Sequence, residues 1–267
     1  MRPKPGEGER DAVDELLELL NRYRNRIIDA HAHVGPDQRF LMWATPEAVL
    51  EVYGRYGIRA GLFSSTISLL AGAREGNRHV LEAARAHPGR ILPLYSLNPL
   101  EPGCLEELER DAGSYVGVKF HPDYFHVQPS HHLALEALKR VAELGLPLML
   151  HSYDGCAEAE KVARALPELK VVAYHMGGVR WRECLKRLSA LENTLVEVSS
   201  SVAEPGMVAA AVEELGADRV LFGSDVPYLE PAVSLGKIFD ANLSERNLEN
   251  VLWRNAERLI GDALLRR

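Results

Sequence analysis

The sequence contains little of what marks secreted or membrane-spanning proteins. Its three cysteines form no CxxC pair among 267 residues, so we predict no disulfide framework and a reducing, cytoplasmic location. The N-terminal segment is too rich in charged residues to be a signal peptide. No window approaches the roughly 20 consecutive apolar residues that a membrane-spanning helix needs. These absences predict a soluble intracellular protein.

A basic surface stripe is also missing. The formal net charge is −7, and the Lys and Arg residues are scattered through the predicted helices. This acidic balance argues against nucleic acid and anionic membranes as partners. We therefore expect a small-molecule substrate, and we expect a homodimer because closed symmetric dimers are the commonest soluble oligomers.

One pattern recurs along the chain: a short apolar run ends in polar residues or Gly, and an amphipathic helical stretch then leads to the next run. The runs are rich in Val, Ile and Leu and too short to be helices, which is typical of buried parallel strands. Eight such runs are present, at residues 26–33, 58–65, 91–98, 115–122, 146–153, 170–178, 194–201 and 219–227.

Eight strand–helix units predict a single (β/α)₈ TIM barrel, a fold of about this chain length. The alternative is a doubly wound open sheet, which usually has fewer strands. Residues 1–25 are predicted to form a lead-in with a short helix at about 11–24. Residues 26–267 are predicted to form the barrel, with closing helices over 245–261.

Side chains with acid–base or metal-binding chemistry lie at several predicted strand ends. In the DAHAH motif at 29–33, His31 and His33 are two residues apart, so both point to the same face of a strand. Lys119 and His121 have the same spacing at the fourth strand. The other strand-end groups are His151, His175 and Asp225. Because the C-terminal ends of barrel strands meet at one rim, we expect these groups to converge.

Imidazole and carboxylate groups at one rim favour a divalent metal site. Each group alone is weak evidence, because one HxH pair can arise by chance among ten histidines and an aspartate can simply cap a helix. Together they predict Zn²⁺, with Mn²⁺, Fe²⁺ or Co²⁺ as alternatives. Such an ion lowers the pKa of bound water toward roughly 7 and polarises a substrate oxygen.

The same residues resemble the amidohydrolase superfamily, and more narrowly its amidohydrolase-related (amidohydrolase 2) family, which includes aminocarboxymuconate semialdehyde decarboxylase. The resemblance rests on the ordered set DAHAH, His151, His175 and the Asp225 of GSD. The segments GVKFHP, FGSDVP and RNAERLIG are also similar to that family, and the match spans about 27–261.

The resemblance implies a role for each matching residue. His31 and His33 would bind the metal, and His151 and Asp225 would complete the ligand set. His175 would act beside the metal as an acid or base that polarises the substrate or helps to activate water. Asp225 would also accept a proton from that water.

Lys119 is ambiguous within the resemblance. In binuclear relatives a lysine at this strand is carboxylated and bridges two metals, and His151 and His175 would then both bind the second ion. We favour one metal, because His121 follows on the same face and would place Lys119 one layer deeper, as a structural ion-pair partner.

Further residues follow the strands that carry these groups and are candidates for substrate binding. Arg180 is of interest because a guanidinium can hold a carboxylate with two hydrogen bonds, although its position after a Gly-Gly turn favours an ordinary surface residue. The other candidates are His121, Tyr124, Tyr153, Tyr228 and Trp43.

Three functions are consistent with the sequence. The first is hydrolysis of a small amide, ester or lactone by metal-activated water. The second is non-oxidative decarboxylation of a small unsaturated or aromatic acid, which would use the same ligands. The third is a catalytically lapsed barrel that serves as a binding module, which is disfavoured because no core ligand is missing.

Overall fold

A curled, mostly parallel sheet of nine strands forms the centre of the chain in the computed structural model, which describes residues 12–261. Eight of the strands run parallel; seven of these lie within a predicted apolar run, β1 extends beyond its run, and β2 is a short antiparallel addition to β1. The strands are β1 Ile27–Asp37, β2 Met42–Ala44, β3 Ile58–Ser65, β4 Ile91–Ser96, β5 Gly117–Phe120, β6 Leu148–His151, β7 Val171–Tyr174, β8 Thr194–Glu197 and β9 Val220–Leu221.

Helices precede the first strand, connect the parallel strands and follow the last strand. They are α1 Ala12–Tyr23, α2 Pro46–Tyr56, α3 Ile67–Leu70, α4 Ala73–Ala86, α5 Cys104–Asp111, α6 Pro122–Phe125, α7 His132–Glu143, α8 Ala157–Ala165, α9 Trp181–Leu188, α10 Met207–Leu215, α11 Pro231–Asp240, α12 Glu245–Glu249 and α13 Asn255–Ile260. The start of α2 shows the local cause, since the Thr45 side chain accepts a hydrogen bond from the backbone of Ala48 and proline occupies the first helical position. Within residues 12–261, no helix is long and apolar enough to cross a membrane.

The strands are buried on both faces, as their unbroken apolar composition predicts. Leu148, Met149 and Leu150 of β6 are all fully buried. Alternating residues of this strand face opposite sides of the sheet, so both sides must be covered. Both sides of the strand are therefore covered by other parts of the chain, and the polar groups lie at the strand ends.

The two ends of the sheet are joined by backbone hydrogen bonds between β1 and the segment that follows β9. Ala30 N donates to Phe222 O (2.9 Å), and His33 N donates to Val226 O (2.8 Å). Asp225 N donates to His31 O (2.8 Å), which sets the first and last functional groups of the sequence side by side.

β1 is longer than the sequence predicts and continues beyond the rim as a hairpin. Its last residues pair with β2, from Gly35 opposite Ala44 to Asp37 opposite Met42. Buried Asp37 accepts a hydrogen bond from the backbone of Arg39 and so begins the short turn of residues 38–40. The hairpin therefore stands at the mouth of the sheet's C-terminal end.

The cysteine prediction was wrong. Cys156 and Cys184 form a buried disulfide with an S–S distance of 2.04 Å, and Cys104 is free and buried. The two bonded residues are 28 positions apart and meet because the loop after β6 packs against α9. Their spacing in the sequence does not reveal this contact, and the cysteine count gives no argument for a reducing compartment.

Candidate metal centre

Two histidine nitrogens and one carboxylate oxygen converge at the end of β1. His31 Nε2 lies 3.1 Å from His33 Nε2. Asp225 Oδ1 lies 3.3 Å from His31 Nε2 and 3.2 Å from His33 Nε2. Because residues 31 and 33 share one face of the strand, the HxH spacing delivers both rings to the same point, as predicted.

The opposite nitrogen of each ring is occupied. His31 Nδ1 lies 3.0 Å from Glu197 Oε2, and His33 Nδ1 lies 3.0 Å from Ser64 Oγ. When Glu197 is ionised it accepts the Nδ1 proton of His31, and the Nε2 lone pair of His31 then points toward Asp225. Outer partners of this kind fix the tautomer of metal-binding histidines. The donor set therefore fits a divalent cation, which would relieve the mutual repulsion of the facing lone pairs and carboxylate.

Glu197 is the main functional residue that the sequence analysis missed. It is fully buried at the end of β8, where it accepts hydrogen bonds from Ser199 Oγ (2.8 Å), Ser199 N and His175 N (3.3 Å). Burial is the largest influence and raises the pKa of Glu197 to about 8, against these hydrogen bonds. The signal was a single carboxylate inside the apolar run TLVEVSSS, which is costly unless it has partners.

Asp29 anchors β1 to the last strand. It is fully buried and accepts hydrogen bonds from His31 N, Ser224 N and Tyr53 Oη, each at 2.9 Å, and from the Ser224 hydroxyl. Burial raises its pKa to about 6, although these hydrogen bonds oppose the shift. The first residue of the DAHAH motif thus positions the following histidine and the chain that leads to Asp225.

Asp225 is held in a left-handed backbone conformation, with φ 61°. Burial acts to raise its pKa, but the hydrogen bond with His33 and the charges of His175, His33 and Lys119 outweigh burial and lower it. The carboxylate is therefore ionised at neutral pH, as both a metal ligand and a proton acceptor require.

His175 and His151 form a second group beside the first. His175 Nε2 lies 3.1 Å from His151 Nδ1, and His175 Nδ1 lies 2.9 Å from Ser199 O. Burial lowers the pKa of His175 to about 4, so the ring is neutral at pH 7. The other nitrogen of His151, Nε2, lies 3.6 Å from Asp123 Oδ2, and its ring stacks on His121 at 3.8 Å.

The predicted ligands thus fall into separate clusters in the structure. Donor atoms that all lie within 4.8 Å of one another form three groups among the described residues: His31, His33 and Asp225; His31, His175 and Glu197; and His121, Asp123 and His151. The structure therefore brings three of the four predicted ligands together and places His151 with a neighbouring set.

Lys119 is buried between these groups. Its Nζ lies 3.0 Å from His31 Nε2 and 4.0 Å from the centre of the Tyr174 ring. Burial lowers the pKa of Lys119 to about 7, while the charges of Asp225 and Glu197 act in the opposite direction. Lys119 thus lies deep in the site, in contact with a predicted metal ligand.

A cavity of about 280 Å³ opens over these groups. Four of the predicted substrate-binding residues line it, namely His121, Tyr124, Tyr153 and Tyr228. The other two do not: Trp43 is 73% exposed on β2, and Arg180 pairs with Glu183 on the surface. The sequence analysis did not single out four further lining residues, Phe40, Leu69, Ser201 and Leu229.

Solved structures with this fold include both decarboxylases and a hydrolase. The 2,6-dihydroxybenzoate decarboxylase from Rhizobium aligns with a TM-score of 0.71 at 18% identity, covering 88% of this chain and 98% of that chain. A dihydroxybenzoic acid decarboxylase from Polaromonas, solved with manganese and 2-nitroresorcinol, gives 0.72 at 18% identity and covers 88% and 96%. A Pseudomonas putida protein described as a 2-pyrone-4,6-dicarboxylic acid hydrolase gives 0.67 at 22% identity and covers 88% and 97%. These likenesses establish the shared fold.

The sequence itself gives the family. Residues 28–261 match the family model described as amidohydrolase. The chain belongs to the amidohydrolase family, in agreement with the resemblance of its strand-end motifs. No curated protein sequence matches the chain significantly.

Proposed function

We propose that this protein is a metal-dependent hydrolase of the amidohydrolase superfamily that acts on a small amide, ester or lactone. The observation that carries the proposal is the convergence of His31 Nε2, His33 Nε2 and Asp225 Oδ1 within 3.3 Å, with the opposite ring nitrogens engaged by Glu197 and Ser64. We also propose that the sheet closes as a (β/α)₈ barrel, which the hydrogen bonds between β1 and residues 222–226 support.

One divalent ion would be held by His31, His33 and Asp225, with His151 as the proposed fourth ligand. Zn²⁺ suits this imidazole–carboxylate set, and Mn²⁺ is the first alternative because a structural neighbour contains it. When bound, the ion acidifies a water molecule and polarises an oxygen of the substrate.

The protein's own groups would handle the proton and orient the substrate. Asp225 is ionised and lines the cavity, so it can accept a proton from water. Neutral His175 also lines the cavity; its Nδ1–H is donated to Ser199 O, so Nε2 carries the lone pair and can accept a hydrogen bond or a proton from water or the substrate. Tyr153 and Tyr228 would help to enclose the substrate.

Decarboxylation of a small unsaturated or aromatic acid is the second candidate. It is favoured by the decarboxylases among the structural neighbours and would use the same ligands. In that reaction the substrate loses CO₂ and its carbon gains a proton. The two reactions differ in the group that the substrate presents to the metal centre. Identifying the products therefore distinguishes decarboxylation from hydrolysis.

Metal analysis tests the centre. We expect about one divalent ion per chain in the purified protein, and near-complete loss in the His31→Ala/His33→Ala double variant. The matched control is His132→Ala, which removes an exposed histidine outside the cavity. An ion at full occupancy in the double variant would disprove the ligand assignment, and no ion after reconstitution would disprove the mechanism.

The number of ions is tested at Lys119. With one ion, Lys119→Met leaves the metal content per chain unchanged. A fall from two ions to one would instead support the carboxylated lysine bridge. Product analysis over a panel of small esters, lactones, amides and aromatic acids then distinguishes hydrolysis from CO₂ release.

A further inference from the structure

Arg39 lies on the β1–β2 hairpin beside the cavity and is fixed in place by its neighbours. Its Nε donates to Asp37 Oδ1 at 2.9 Å, and its Nη2 donates to Asp37 Oδ2. Asp37 is fully buried and also accepts a hydrogen bond from Tyr228 Oη at 2.8 Å. The guanidinium is therefore held by a carboxylate that is itself fixed to the cavity wall.

Aromatic contacts link the Arg39 guanidinium to residues that line the cavity. Its Cζ lies 4.5 Å from the centre of the Tyr124 ring, and that ring lies 4.4 Å from the His121 ring. On the other side, Phe40 packs edge-on against Tyr228, with ring centres 5.5 Å apart. Tyr124, His121, Phe40 and Tyr228 all line the cavity, and Arg39 lies outside this lining, in contact with the Tyr124 ring.

The geometry of the ion pair leaves part of the guanidinium available. Asp37 occupies the side formed by Nε and Nη2, whereas the end formed by Nη1 and Nη2 contacts no second carboxylate within 4 Å in residues 12–261. A guanidinium offers five N–H donors in a rigid fork and can serve two carboxylates at once. Its side chain is 37% exposed, so solvent and a ligand can reach it.

We propose that Arg39 is a specificity-determining residue that binds an anionic group of the substrate at the cavity mouth. Arg180, the candidate for this role in the sequence, pairs with Glu183, and among the described residues it has no ring contact of the kind that links Arg39 to the lining residue Tyr124. The proposal rests on the proposed function in one respect, that the substrate occupies this cavity. It adds that the substrate is a carboxylate or similar anion, and that Arg39 binds the end of the substrate that lies farther from the metal centre.

Binding of matched acids and amides tests this role. The probes are benzoate with benzamide, and 2,6-dihydroxybenzoate with 2,6-dihydroxybenzamide, titrated calorimetrically into the full-length protein as purified and again with EDTA. We expect the wild type to bind an acid more tightly than its amide, and Arg39→Met to lose about tenfold or more of that preference, because a charge-assisted paired contact is lost. Arg180→Met is the matched control and should behave as the wild type.

Arg39→Lys guards against misfolding of the methionine variant, since it keeps a positive charge next to Asp37. It should lose about threefold of the preference, because an ammonium cannot form the paired contact. Equal binding of acids and amides by the wild type would overturn the proposal, as would an undiminished preference in either Arg39 variant. Failure of the proposed metal mechanism would be distinguishable from failure of this proposal. In that case the protein would show no bound metal and no turnover, but the Arg39-dependent preference for acids would persist in EDTA.

Discussion

Replacing Glu197 with glutamine is expected to weaken metal binding. Burial raises the pKa of Glu197 to about 8, so the residue is mainly protonated at pH 7 in the absence of an ion. Glutamine has nearly the shape of a protonated glutamate, but its amide nitrogen cannot accept a hydrogen bond from Ser199 N or His175 N as the carboxyl oxygens do, so the metal-free variant should lose some stability as well. A cation on His31 would instead favour the ionised form of Glu197, and glutamine cannot supply that charge.

The size of the effect follows from the contact with His31. Glu197 Oε2 lies 3.0 Å from His31 Nδ1, with both side chains buried. Loss of such an outer carboxylate typically lowers metal affinity by about 10- to 100-fold. That range corresponds to about 1.4–2.8 kcal/mol of binding free energy.

The assay is competition for Zn²⁺ or Mn²⁺ between the protein and a fluorescent chelator at pH 7, with urea unfolding of the metal-free protein measured in parallel. The control is Glu204→Gln, which removes a carboxylate that binds Arg182 and Trp181 away from the cavity. Unchanged affinity in a folded Glu197→Gln protein would refute the reasoning.

Two further predictions concern stability. Removal of the Cys156–Cys184 disulfide, by reduction or by Cys156→Ala/Cys184→Ala, should lower the free energy of unfolding by about 3 kcal/mol, because a loop of this length, spanning 28 positions, is no longer closed in the unfolded chain; equal urea midpoints with and without reductant would contradict this. Lowering the pH from about 7 to about 5.5 should destabilise the metal-free protein, because the five histidines of the cavity resist protonation when folded but protonate below about 6.5 when unfolded. Asp29 and Glu197, with pKa values raised to about 6 and 8, stabilise the folded protein on acidification, but they are outnumbered by the histidines. A urea midpoint that rises on acidification would show that these two carboxyl groups dominate and would contradict the prediction.

Much of the fold follows from local patterns in the sequence. A buried parallel strand must be apolar on both faces, so each of the eight strands leaves a continuous apolar run, and the helices between them leave amphipathic periods. The β1–β2 hairpin left no such signal, because β1 ends in glycine, proline and aspartate at residues 35–37 and β2 is only three residues long. Its position over the cavity depends on the contacts of Asp37 with Arg39 and Tyr228.

The DAHAH motif and Asp225 show what the sequence determines about the site. Because His31 and His33 are two residues apart, they lie on one face of the strand whatever surrounds them. The order of the strands places Asp225 at the same rim. These relations are local or topological, so they can be deduced from the chain alone.

Only the tertiary structure decides the contacts between distant residues. Glu197 lies 166 positions from His31, and no periodicity links the two. The same holds for the Cys156–Cys184 pair and for the placement of His151 with His121 rather than with His31. Such contacts depend on loop paths and side-chain packing across strands, which neither composition nor spacing records. The sequence by itself therefore determined the sheet and the predicted ligands at its rim, and the folded chain decided which partners surround each ligand.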